Sequence, residues 1–181
     1  MANWYASVYK GFIVAGLVSF IVGFFTQGIT SLNSYIAGYS ILILAIAMML
    51  IIIFNNVNKV TEGSSTMQTL LAIGMSSGPF LLMLTVISMI LYLIVTHKDK
   101  IIQNHVSSDY YSFSNITSLL IFIQLYIIYT KVFTEKFQNT GKIDKVTSSF
   151  IYLLGVLTFM TVLILYIILQ YYTTDGFTTI N

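Results

Sequence analysis

The chain has 181 residues, with eight lysines, no arginine and six acidic side chains, so only 8% of it is charged. Soluble domains carry roughly 25% charged residues, and a 20.3 kDa domain cannot hide an apolar fraction of 57% from water. Composition therefore excludes soluble, disordered and collagenous classes, and the absence of Cys excludes a disulfide framework. The scattered basic residues offer no nucleic-acid surface. The expected class is an integral membrane protein.

Charge-free runs cover Gly11–Asn58, Gly63–Thr96, Tyr110–Thr130 and Val146–Thr174. One crossing takes about 20 mostly apolar residues. The first run is long enough for two, divided by the polar stretch Thr26–Ser34. The expected fold is an all-α polytopic bundle with spans near 11–28, 35–55, 78–96, 112–132 and 147–171. A four-span alternative would make the polar fourth segment a surface or re-entrant helix. A β-barrel is disfavoured because the apolar runs are continuous rather than alternating.

The first span holds Gly11, Ala15, Ser19 and Gly23, small residues four apart. Such a stripe lets helix backbones approach closely, within the chain or between copies. Lys10 before an apolar run imitates a signal peptide, but no clean small-x-small site follows, so an uncleaved first span is expected.

The third run contains the only proline, in Ser76-Ser77-Gly78-Pro79. Proline suits the first helical turn and serine the cap before it. The favoured reading is a short interfacial helix over Thr66–Met75, a break at Gly78 and Pro79, then the third span. One long helix kinked at Pro79 is the alternative.

His97, Asp99, His105 and Asp109 share the next polar loop. Imidazole and carboxylate suit divalent metals, but the spacing fits no zinc pattern, so no metal is expected and a solvated connection is the better reading. The fourth span carries Ser114, Thr117 and Gln124 on one helical face. Those residues would either wall a polar pathway or hydrogen-bond to neighbouring helices, and the second is commoner. Asn115-Ile116-Thr117 is formally a glycosylation sequon, too near the expected membrane surface for modification. The loop 131–145 is the most charged segment, and its mixed signs argue against a strong lipid-specific patch.

Aromatic residues flank the spans: Trp4, Tyr5 and Tyr9, then Tyr35, Tyr110, Tyr111, Tyr171 and Tyr172. They suit the headgroup level, where ring and polar tip are both accommodated. No ionisable residue occupies the centre of a span, which weighs against pumps, proton-coupled transporters and membrane cytochromes. No nucleophile, phosphate-loop or metalloprotease motif is present, and no cofactor is expected. Five crossings place six lysines on one side (Lys10, Lys59, Lys131, Lys136, Lys142 and Lys145) and two on the other (Lys98 and Lys100). Lysines of short loops stay cytoplasmic, so the N-terminus is expected inside and the C-terminus opposite.

Several stretches resemble small multi-span virion proteins of giant nucleocytoplasmic large DNA viruses. They are Ser76-Ser77-Gly78-Pro79-Phe80-Leu81-Leu82-Met83; Asn104-His105-Val106-Ser107-Ser108 leading to Tyr111-Ser112-Phe113-Ser114-Asn115-Ile116; Thr140-Gly141-Lys142-Ile143 followed by Val146-Thr147-Ser148-Ser149; and the ending Gln170-Tyr171-Tyr172-Thr173-Thr174-Asp175-Gly176-Phe177. The resemblance covers roughly 76–177, and its motifs are not catalytic. It implies a structural membrane protein linking the minor-capsid layer to the internal bilayer, with membrane lipids and other viral capsid or membrane proteins as partners and a homo-oligomer as a further option. A small oligomeric pore lined by the fourth span is the alternative. An enzyme of lipid metabolism using the loop 97–109 is the least favoured.

Overall fold

The computed structural model describes residues 3–103 and 108–173. Their regular structure is helical: α1 (Asn3–Phe25), α2 (Gly28–Val60), α3 (Thr66–Thr96), α4 (Lys98–Gln103), α5 (Ser108–Val132), α6 (Glu135–Thr140) and α7 (Lys145–Thr173). The helices α1, α2, α3, α5 and α7 are long and apolar enough to cross a bilayer. The chain is an all-α, five-helix integral membrane protein. The fourth span, least hydropathic of the five, is α5 and runs the length of the bundle, so the four-span alternative falls.

Contacts run in a cycle: α1 packs on α2, α2 on α3, α3 on α7, α7 on α5, and α5 returns to α1. Tyr9 of α1 stacks on Tyr129 of α5, with ring centroids 5.7 Å apart. Asn56 Nδ2 of α2 donates to the Phe137 carbonyl at 2.9 Å, and Ser76 Oγ of α3 donates to the Gly141 carbonyl. These contacts gather the N-terminal end of α1, the 61–65 loop and the 133–144 segment at one end of the bundle. At the other end, Lys100 Nζ donates to the Thr173 carbonyl at 2.7 Å. Six of the eight lysines therefore share one end, as five crossings require.

The α1–α2 hairpin is tighter than the polar stretch suggested. Only Thr26 and Gln27 separate the helices, and Gly28 takes a left-handed φ of +62° that starts α2. Thr30, Ser31, Asn33 and Ser34 are helical instead of forming a loop. Serine and threonine can enter a helix because their hydroxyls find carbonyl partners nearby. Ser34 Oγ donates back to Thr30, and Ser31 Oγ reaches across to the Gly23 carbonyl of α1 at 2.6 Å.

The expected break at Gly78–Pro79 is absent. α3 continues through it as one helix, with Pro79 inside, and Thr66–Met75 forms its first turns. The start signal lies earlier: Ser65 and Gln68 make a reciprocal capping box. Proline removes one donor from the helix ladder. A full break would strand several backbone groups in apolar surroundings, each costing several kcal/mol, roughly. Continuity is the smaller loss.

Trp4 and Tyr171 are half exposed, as headgroup-level residues should be. Tyr9, Tyr35 and Tyr110 are fully buried inside the bundle. Their rings fill interhelical space, a use that a position near a span's end does not reveal. The side chains of Tyr111 and Tyr172 lie outside the described residues.

Candidate functional site

Within the chain, the small-residue stripe of α1 is only partly a packing face. Gly23 is buried, and a Cβ there would lie 3.1 Å from the Tyr35 ring and 3.3 Å from the Ser31 carbonyl. Ser19 is half-buried and bonds back to Ala15, while Gly11 and Ala15 are exposed. Nothing approaches within 4 Å of a Cβ at Gly11. A four-residue repeat overshoots one helical turn by about 40° per step, so it winds off any straight face. The buried face follows a seven-residue repeat instead, Tyr9, Gly16 and Gly23, with Phe20 between. Large residues meet small ones in constant antiparallel register: Leu42 over Gly16, Phe20 against Gly38, Tyr35 over Gly23.

A second pair of notches joins α3 to α7. A Cβ on Gly78 would collide with the Tyr152 hydroxyl, and one on Gly155 would lie 2.6 Å from Leu82 Cδ2. Gly78, expected at a helix break, is instead a place where a neighbouring side chain enters. Small residues let membrane helices pack by dispersion where hydrophobic drive between them is weak.

The predicted polar face of the fourth span is buried in protein. Thr117 Oγ1 lies 2.8 Å from Thr161 Oγ1 of α7 and 2.7 Å from the Phe113 carbonyl. The single Thr117 proton is shared between these two acceptors, because Thr161 Oγ1 itself donates to the Thr158 carbonyl at 2.7 Å. Gln124 Nε2 points at Thr158 Oγ1 of α7 at 3.5 Å. Ser114 contributes its carbonyl, which accepts from Ser118 Oγ at 2.7 Å, while its own hydroxyl is buried and meets no partner among the described residues.

The residues missed from sequence are the α2 partners. Tyr35 donates to Asn115 Oδ1, and Tyr39 Oη sits 3.1 Å from Ser118 Oγ. Two tyrosines four apart were the available signal, because that spacing aims both tips one way. The seam ties α5 to α2 on one side and α7 on the other. Among the described residues it holds no carboxylate, amine or imidazole.

The charged loop holds one ordered carboxylate. Asp144 Oδ1 accepts from the Thr147 backbone N–H at 2.9 Å, and its Oδ2 accepts from the Thr147 hydroxyl at 2.7 Å, capping α7. These bonds, with lesser help from Lys131 and Lys136, hold its carboxyl below the usual carboxylate range. A depressed pKa contributes stability above the unfolded value of about 3.9, lost as pH falls through the folded value. Asp144→Ala should therefore cost about 1 kcal/mol at pH 7, with the gap from wild type closing below about pH 4. Thermal unfolding of the full chain in micelles at both pH values checks this. The Lys131–Asp144 ion pair, 3.8 Å long and open to solvent, adds little.

Of the loop considered for metal, His97 ends α3, with its N–H on the Leu93 carbonyl. Asp99 is exposed on α4. His105 and the Asp109 side chain lie outside the described residues. Among the described residues, no three His, Cys, Asp or Glu side chains come together as a metal site would need.

Comparison with protein-family models, curated proteins and solved structures finds no match to this chain.

Proposed function

We propose that the chain is a non-enzymatic structural membrane protein whose five helices form a packed, membrane-embedded body. The observation that carries this reading is the use of Thr117, Ser118 and Gln124 in contacts between helices. Polar atoms held this way are not presented to a water-filled path. The span centres also carry no Asp, Glu, Lys, Arg or His to serve as a general acid, a general base or a charged relay. Placement in the virion of a large DNA virus, joining minor-capsid layer to internal membrane, belongs to the same proposal and rests on the resemblance of 76–177 alone.

Reconstituted liposomes test the first part. The wild-type chain should pass no more ions or small solutes than empty vesicles. The double variant Thr117→Leu/Gln124→Leu should leave that unchanged and lower the thermal midpoint. Interhelical hydrogen bonds in membranes average about 0.6 kcal/mol each, so a loss of roughly 1 kcal/mol is expected. Robust conductance abolished by the double variant would replace the structural reading with the pore. Lysine-reactive cross-linking in assembled particles tests the location. Bonds from Lys59, Lys98 or Lys100 to a capsid-layer protein support it, and absence of the chain from purified particles overturns it.

A further inference from the structure

The loop 133–144 folds inward, and this creates a cavity at the lysine-rich end. Phe137 and Ile143 are buried beneath it, Asn56 holds the Phe137 carbonyl, and Ser76 holds that of Gly141. Gly141 closes the fold with a left-handed φ of +63°, its Cβ position only 3.2 Å from Val57 Cα. The cavity, about 430 Å³, is rimmed by Lys131, Lys136 and Lys142 over an apolar floor of Phe137, Ile143 and Val146.

One carboxylate, Asp144, also lines it. Asp144 caps α7 through Thr147 and pairs with Lys131 at 3.8 Å, and one carboxylate against three ammonium groups leaves the lining with an excess of positive charge. Glu135, the other acid of the loop, is exposed on the first turn of α6 and is not part of the lining. The mixed signs that argued against a lipid patch in the sequence are thus unequal at the cavity, three lysines against one carboxylate.

Below the rim, α7 presents an exposed apolar stripe. Val146, which lines the cavity, is 81% exposed, and Phe150, Leu153 and Leu157 follow it, also exposed. Their spacing of four, three and four keeps them on one helical face. A cationic cup continuous with an apolar track suits a molecule with an anionic head and hydrocarbon tails.

We propose that this cavity binds the phosphate of an anionic membrane phospholipid, with its acyl chains lying along Val146, Phe150, Leu153 and Leu157. Lysine recognises phosphate as a point charge, and each lysine near a membrane surface strengthens anionic attraction about five-fold. The proposal concerns lipid contact only and holds whatever the cellular location.

The test uses the purified full-length chain in zwitterionic micelles, with native mass spectrometry counting retained lipid. Phosphatidylglycerol and phosphatidylcholine of matched chains are the probes. One phosphatidylglycerol should be retained in preference to phosphatidylcholine. Lys136→Gln/Lys142→Gln should weaken that retention about 25-fold, whereas Lys98→Gln/Lys100→Gln, at the opposite end, should not. Both positions of the first pair are exposed, and unchanged helical circular dichroism would show that it folds. Leu153→Gln should weaken phosphatidylglycerol retention without introducing phosphatidylcholine preference. Equal retention of the two lipids, or equal loss in both lysine pairs, would overturn the site. Inorganic phosphate competing as well as the lipid would overturn the acyl-chain half and leave a soluble-anion site.

Discussion

Gly23→Leu should separate α1 from α2 and destabilise the purified chain by about 2–3 kcal/mol, the range for overpacking a filled interface. The position has no slack. The Tyr35 ring stands 3.1 Å from its Cβ direction and the Ser31 carbonyl 3.3 Å from it. Moving the helices apart also stretches the bond from Ser31 Oγ to the Gly23 carbonyl. Gly11→Leu is the informative comparison, because the four-residue stripe treats both positions alike. Its Cβ would meet nothing within 4 Å, and removing a helical glycine is neutral to mildly stabilising. Val18→Leu, on the exposed side, should also be silent. Thermal midpoints of the three variants in one detergent measure the difference. Equal loss at Gly23 and Gly11 would restore the four-residue stripe and discard the seven-residue face.

Cysteine labelling should divide the chain into two sets of all-or-none responses. The sequence has no Cys, so single introduced thiols report cleanly to an impermeant maleimide. Ser64 and Thr140 are exposed at the lysine-rich end, and Asp99 is exposed at the other. Asp99→Cys should label from the exterior or lumenal face. Ser64→Cys and Thr140→Cys should label only once the membrane is opened, because six lysines against two favour a cytoplasmic location for their end. The mirror pattern would keep five crossings and reverse the orientation. Labelling of Thr140→Cys and Asp99→Cys from one face would eliminate five crossings altogether.

Legibility of the candidate site was uneven for a physical reason. The polar residues of α5 could be placed on one face because helical periodicity is local. Whether that face met water or protein depended on Tyr39, Thr158 and Thr161, which arrive from other helices. Tyr35 shows the same limit. Its position in the sequence matched a headgroup-level aromatic, yet its ring fills the space over Gly23 and its hydroxyl reaches Asn115.

The sequence by itself determined the class and, given five crossings, the partition of lysines between the two ends, while the four-span alternative fell only with the structure of α5. Class and partition follow from transfer free energies summed along the chain, and a lysine or an apolar run contributes wherever its neighbours pack. Tertiary structure alone decided which glycines are notches, since Gly16, Gly23, Gly78 and Gly155 receive side chains from other helices and Gly11 receives none. It also decided that Pro79 stays within α3, where an unbroken helix leaves fewer backbone groups stranded. And it left Glu135 outside the cavity while setting Asp144 among Lys131, Lys136 and Lys142, so that three lysines face one carboxylate there. Composition counts charges; only packing decides what each one faces.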